Sequence, residues 1–186
     1  MLNQLIVATV KLMPKAIVKI FAQKYMAGEK LEDAVNAVKN LNAKGIVATM
    51  DVLGEAIKNK KEAEEAKDEC LQVLDAIHDN NLDSNLSIKP TQLGLIIDPN
   101  LCYQNLCEIL DKAKSLNNFV RIDMEDSPVT SDTIALFRKL REKYDNVGIV
   151  VQAYLKRTYD DVVALNKEGS SYRLCKGIYV EPAEIA

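Results

Sequence analysis

Hydrophobic positions fall into two regimes along this chain. Up to residue 44 they recur at helical spacing. Pro14 can open a helix in its first turn, Ile17, Val18, Ile20, Phe21 and Tyr25 follow, and Gly28 ends it. A second helix is expected over 31–41, where Leu31, Ala34, Val35, Val38 and Leu41 share a face and Gly45 closes the unit. From Gly45 onward, short apolar runs rich in β-branched residues alternate with more polar, helix-like stretches. GIVATMDVLGE, SNLSIKPT, NFVRIDMED, NVGIVVQAY and SYRLCKGIY predict five strands, the second stopped by Pro90. Helices are expected over about 56–78, 100–116, 131–144 and 159–167, and Glu181 with Pro182 reads as the opening of another. Strands alternating with helices at a spacing of roughly 30 residues predict βαβ crossovers and a parallel sheet.

The polar residues inside the strands say which parallel fold this is. No G-x-G-x-x-G follows the first strand, so a dinucleotide-binding unit is not expected, and there is no Walker lysine loop. A strand sends alternate side chains to opposite faces, so Thr49 shares a face with Asp51, Ser87 with Lys89, Arg121 with Asp123, and Arg173 with Cys175. Gln152 stands two residues beyond Val150 on the fourth strand. Each strand thus carries a polar residue at or near the C-terminal end of a common face. An open sheet covered by helices on both sides would have to bury those charges. A (β/α)8 barrel aims them at one mouth, where the active sites of that fold lie. Taken singly, a charge here could belong to a structural ion pair, such as Arg121 with Asp123; the alignment over five strands is better explained by a shared mouth. The expected fold is α/β, of the (β/α)8 TIM-barrel type with only about the first five strands, preceded by N-terminal helices. A helical arm would span 1–44 and a partial catalytic barrel 45–186.

Composition narrows the picture further. With 186 residues, 48% of them apolar, the chain can build a core and is not a disordered segment. Twenty-four basic against 27 acidic residues give a net charge of -3, with no general pull toward nucleic acid. Seven glycines and five prolines are too few for the frequent tight turns of a β-sandwich. Cys70, Cys102, Cys107 and Cys175 show no C-x-x-C and no histidine at ligand spacing, so they are expected to be free thiols in a reducing cytoplasm. His78, the one histidine, reads as a charge at a helix C-terminus, and no G-x-S-x-G elbow supports a serine triad. Lys11, Lys15, Lys19 and Lys24 interrupt the apolar stretch over 1–26, which is neither a membrane span nor a signal peptide by pattern. Such a basic amphipathic stretch packs on its own domain more often than on an anionic bilayer.

At the same positions the sequence resembles FAD-dependent proline dehydrogenase. The resemblance is carried by ATMDVLGE, SIKPTQLGL, FVRIDMEDS, VGIVVQAYLKRTYDD and RLCKGIYVEP, with LMPKAIVKIFAQKYMAGE matching the family's helical N-terminal region. It implies a distorted (β/α)8 barrel that holds FAD at the C-terminal ends of its strands. It implies oxidation of L-proline to Δ1-pyrroline-5-carboxylate, with electrons passed to a membrane quinone. By motif position, Lys89 would contact the substrate carboxylate, Asp123 and Arg173 would be the catalytic pair, and Met124, Gln152, Arg173, Lys176, Gly177 and Ile178 would bind the flavin. The chemistry suits these parts. Lys89 offers a cation to a carboxylate, and Arg173 can stabilise negative charge growing beside it. Asp123 can hold the lysine in place or orient substrate, and its neighbour Arg121 argues that it stays ionised. Lys176 suits a phosphate or ring oxygen, Gly177 would let backbone approach the cofactor, Gln152 both donates and accepts, and Met124 packs.

A complete barrel needs roughly 250 residues, and residues 45–186 accommodate five strands. The family's later portion supplies a Thr-His pair, a tyrosine and an adjacent arginine pair, for which this chain has no counterpart. The chain alone is therefore expected to be an incomplete and inactive form, a piece of a longer product or one member of a complementing pair. A non-catalytic scaffold keeping the barrel fold is the alternative, and a barrel enzyme for another amine or small acid a weaker one; Lys89, Asp123 and Arg173 favour the dehydrogenase. The expected place is the cytoplasm, with peripheral contact at the inner face of the membrane if the N-terminal lysines engage it.

Overall fold

A computed structural model describes residues 27–28, 30–54 and 57–186. The helix expected from Pro14, and the basic stretch around it, lie outside the described residues. Helix α1 spans Leu31–Asn42. Strand β1, Ala48–Asp51, follows, then α2 (Lys60–Asp79), β2 (Ser84–Ile88), α3 (Pro99–Ser115), β3 (Val120–Ile122), α4 (Ser127–Arg141), β4 (Val147–Gln152), α5 (Thr158–Lys167) and β5 (Tyr172–Cys175).

Where boundaries differ from expectation, capping explains the difference. Helix α2 begins at Lys60 rather than near residue 56, because the Asn59 side chain accepts a bond from Glu62 N while the Glu62 carboxylate accepts from Lys58 N at 2.6 Å. Helix α4 begins at Ser127, four residues before the expected 131, with Pro128 in its first turn. Its first amide is satisfied from far along the chain: both Glu181 carboxylate oxygens accept from Ser127, from N at 2.7 Å and from Oγ at 2.6 Å. Glu181 therefore does not open a helix of its own. Pro182 starts a single turn, in which Ile185 N and Ala186 N both donate to Pro182 O.

The five strands form one sheet in the order β1-β2-β3-β4-β5, every pair parallel. Sequential order with a helix in each crossover puts α2 to α5 on one side, which gives the first part of a (β/α) barrel rather than a doubly wound sheet. The register separates the two faces. Met50, Leu86, Val120 and Val147 share one row and Ile88, Ile122 and Ile149 the next, all buried in one core with Leu74, Leu110 and Phe137 of the helices. Val35 and Val38 of α1 enter the same core. The opposite, concave face carries Asp51, Ser87, Arg121 and Gly148 in one row, and Val150 opposite Arg173 further up. Side-chain alternation in parallel strands thus sends apolar residues to the helices and polar residues to the lumen. Strands β1 and β5 each have a neighbour on one side among the described residues.

Candidate active site

The polar face ends in a cleft of about 260 Å³ at the C-terminal ends of the strands. Lys89 and Asp123 each stand one residue beyond a strand, on β2 and β3. The ladder bond Asp123 N to Ile88 O, 2.8 Å, keeps the third strand aligned there, and Pro90 stops the second. Arg173 lies within β5, beside Val150 of β4. Val150 is short and apolar and offers no polar partner, so the guanidinium extends across β4. Its terminal nitrogen donates to Asp123 Oδ1 at 2.8 Å.

Charges alternate across this mouth. Asp51, the last residue of β1, accepts a short hydrogen bond from Lys89 Nζ. Lys89 lies 3.7 Å from Asp123 Oδ2, and Asp123 Oδ1 also accepts from Ser87 Oγ at 2.6 Å. The sequence Asp51, Lys89, Asp123, Arg173 is balanced in sign and mostly shielded from water, which is the condition under which ionised groups persist in a protein interior. Burial works against the Lys89 charge, but its bond to Asp51 and the surrounding carboxylates outweigh this and raise its pKa. For Asp51 burial wins and the carboxyl is pushed above its ordinary range, against the pull of Lys89. Two buried polar atoms in the network have no partner, Asp51 Oδ1 and Arg173 Nε.

Arg121 does not belong to this network. It lies one row lower, over the Phe119 ring at 4.9 Å, with its nearest polar partner Ser171 Oγ at 3.4 Å. Its pairing with Asp123, suggested by their two-residue spacing, is replaced by pairs from β2 and β5. The cations beside Asp123 are therefore Arg173 and Lys89. Burial, together with the like charge of Arg173, lowers the Arg121 pKa.

The far wall comes from β4 and the segment after β5. Gln152 is buried, and its amide nitrogen donates to Glu125 O at 2.7 Å, leaving the amide oxygen as an acceptor. Met124 is buried beside it. The segment after β5 is tied down by Tyr154, whose N donates to Lys176 O and whose hydroxyl donates to Tyr179 O. Gly177 is needed there for two reasons. Its φ is +101°, and a Cβ on it would meet the Tyr154 ring at 2.0 Å. The space expected for a cofactor beside Gly177 is thus taken, on that side, by Tyr154. Lys89, Asp123, Met124, Gln152, Arg173, Lys176, Gly177 and Ile178 all line the one cleft.

Other residues at the mouth were not singled out from the sequence. Asp51 was recognisable as a polar residue on the lumen face, but its engagement with Lys89 depends on strand register. Glu125 carries no strand-pattern signal at all. It is buried, and its carboxylate accepts from Thr91 N at 3.0 Å and from the Thr91 hydroxyl. Burial raises the Glu125 pKa above 4.5, its bonds from Thr91 opposing the shift without cancelling it. The native state then holds this proton more tightly than the unfolded chain. Its contribution to stability falls as pH rises from 4.5 through the higher folded value. Glu125→Gln is expected to remove that dependence: wild type gains stability relative to the variant as pH falls from neutral toward 4.5. Urea unfolding of both chains at several pH values checks the sign.

The four cysteines are free, and burial pushes Cys70 and Cys102 up to about 12, which makes both poor nucleophiles. His78 sits exposed in the last turn of α2. No group of metal-ligating side chains occurs among the described residues.

Comparison with known proteins is consistent along the chain. The proline dehydrogenase family model matches residues 34–183. Proline dehydrogenase 1 of Bacillus subtilis subsp. natto is 38% identical over 168 residues, covering 90% of this chain and 56% of the relative. Proline dehydrogenase of Deinococcus radiodurans is 34% identical over 170 residues, covering 89% of this chain and 55% of the relative. The chain spans about half the length of the curated relatives it matches. Among solved structures, proline utilization A from Bdellovibrio bacteriovorus, inactivated by N-propargylglycine, superposes with a TM-score of 0.77 at 24% identity. That match covers 88% of this chain and 21% of that one, and it shows a shared fold. With 150 of 186 residues inside the matched span, the chain belongs to the proline dehydrogenase family.

Proposed function

We propose that this chain supplies the β1–β5 part of a proline dehydrogenase active site, which oxidises L-proline to Δ1-pyrroline-5-carboxylate and passes the electrons to a quinone. The observation that carries this reading is the convergence of Lys89, Asp123 and Arg173, from the ends of different parallel strands, on one cleft. The residues present also suit FAD. Met124, Val150 and Ile178 offer apolar surface to a flat ring, Gln152 keeps an acceptor oxygen, and Lys176 stands exposed for a ring oxygen or a phosphate. The unpartnered Nε–H of Arg173 is a buried donor in want of an acceptor.

FAD, when bound, supplies the acceptor for the two electrons that leave proline. The protein's part is electrostatic and geometric. Lys89 presents a positive charge to the carboxylate of the imino acid, in a cleft where an unmatched anion would be costly. Asp123 holds Arg173 by a hydrogen bond on one oxygen and faces Lys89 at 3.7 Å with the other, so its charge lies between the two cations. Arg173 carries a permanent positive charge beside the place where electron density accumulates. The same reading places the chain in the cytoplasm, with contact to the inner membrane face where a lipid-soluble quinone is reached. Among the described residues no helix is long and apolar enough to cross a membrane.

Among the described residues β1 and β5 each pair on one side only, and no element of them closes the cleft laterally. The chain on its own is therefore expected to hold FAD weakly and to turn over slowly. Anaerobic addition of L-proline to the chain in excess FAD tests the function without requiring turnover. Slow bleaching of flavin absorbance is expected, and it should vanish in Asp123→Ala. No bleaching when the cleft is saturated with FAD contradicts the reading, and equal bleaching by Asp123→Ala contradicts the roles given to these residues.

A further inference from the structure

The network contains one acidic residue that the proposed reaction does not use. Asp51 ends β1, a strand that contributes no residue to the cleft lining, and its carboxylate holds the Lys89 ammonium from behind that lining. Lys89 is more closely bound to it than to Asp123, which is 3.7 Å away. The lysine stem is long and flexible, and rotamer freedom would let the head group leave the mouth. An anion fixed to the end of a strand removes that freedom. We propose that Asp51 is the positioning residue for Lys89, anchoring its ammonium at the β1 side of the mouth, charged and within reach of a carboxylate entering the cleft.

The surroundings bear this out from every side. Lys89 is faced by Asp51 from β1, by Asp123 and Glu125 from the segment after β3, and by the buried Cys70 thiol from α2; Arg173 of β5 is held off by Asp123. Asp51 is the member of this set that hydrogen-bonds to it. Burial alone would lower the pKa of the ammonium, and the anions around it, Asp51 foremost, reverse that. Asp51 also carries a cost of its own: one of its oxygens is buried without a partner. A residue kept in that state serves the lysine rather than itself. That the arriving carboxylate belongs to an imino acid rests on the proposed function; the anchoring does not.

The test follows the proton on Lys89 directly, with no substrate present. The chain is labelled with carbon-13 at the lysine ε-carbons, and Lys89 is assigned by its disappearance in Lys89→Met. In wild type the resonance should titrate above 10.5. In Asp51→Asn the midpoint should fall, by about one pH unit or more, because desolvation is then opposed only by Asp123 and Glu125, neither of which hydrogen-bonds to the ammonium. Asp51→Glu should restore most of the shift, and Asp123→Asn should change it less than Asp51→Asn does. A wild-type midpoint at or below 10.5 overturns the proposal by itself, whether or not Asp51→Asn folds. So does an unchanged midpoint in a folded Asp51→Asn. L-Proline added afterwards reports separately on the ligand: a Lys89 resonance that titrates as stated but ignores L-proline counts against the proposed function and leaves the anchoring intact.

Discussion

Asp123→Ala is expected to lower L-proline oxidation by about 100-fold or more and to destabilise the fold by about 1–3 kcal/mol. The side chain accepts from Arg173 at 2.8 Å and from Ser87 at 2.6 Å, and it lies 3.7 Å from Lys89. Deleting it leaves two cations facing each other over the space it filled. Lys89 still has Asp51, but Arg173 loses the one carboxylate it pairs with among the described residues. Removing one partner of a buried ion pair costs roughly 3–5 kcal/mol. The Arg173 side chain is 38% exposed and can recover part of its hydration, so the lower range applies. Asp123→Asn keeps an acceptor for Ser87 and should cost less stability while losing most of the activity, since the charge is what holds Arg173 and balances Lys89. Urea midpoints and single-turnover flavin bleaching, measured on both variants, separate the two effects. Activity loss in proportion to unfolded fraction would mean that Asp123 matters only for folding.

Gly177→Ala is expected to weaken FAD binding by about tenfold or more, with little change in overall stability. A residue with a side chain at φ +101° is strained by roughly 1–3 kcal/mol, and the added Cβ would sit 2.0 Å from the Tyr154 ring. The ring cannot retreat cheaply, because its hydroxyl is bonded to Tyr179 O and its amide to Lys176 O. The segment after β5 gives way instead and carries Lys176 and Ile178 away from the cleft. The global effect stays small because this segment is exposed, Ile178 by 84%. Tyr154→Ala relieves the collision but not the backbone strain. The double variant should therefore bind FAD better than the sum of the single effects predicts. Strict additivity would mean that Tyr154 and Gly177 act independently.

These two residues also show what could be read without a structure. The two-residue period of a strand is local information, so the polar face of each strand, and Lys89, Asp123 and Arg173 upon it, were legible from spacing alone. Pairing was not. Arg121 looked like the partner of Asp123 because they are two residues apart, yet the partner is Arg173, fifty residues on and two strands away across Val150. Which charges meet is a property of sheet register, and register is set by the whole core. The start of α4 was misjudged for the same kind of reason. Its capping carboxylate is Glu181, 54 residues downstream, and no window of sequence around Ser127 contains it. Gly177 was expected to let backbone approach the cofactor, and what stands against it among the described residues is the Tyr154 ring.

The central claim is that the cleft formed by the ends of β2, β3 and β5 is where flavin and imino acid meet. Adding FAD to the nitrogen-15-labelled chain and mapping the amide shifts tests it most directly. The account predicts shifts at Met124, Gln152, Arg173, Lys176, Gly177 and Ile178, weakened in Arg173→Ala. A polar groove at the opposite, N-terminal end of the strands, lined by Val47, Asn85, Asn117 and Asn118 among others, serves as the internal control. Shifts confined to that groove, or shifts at the cleft that Arg173→Ala leaves unchanged, would contradict it.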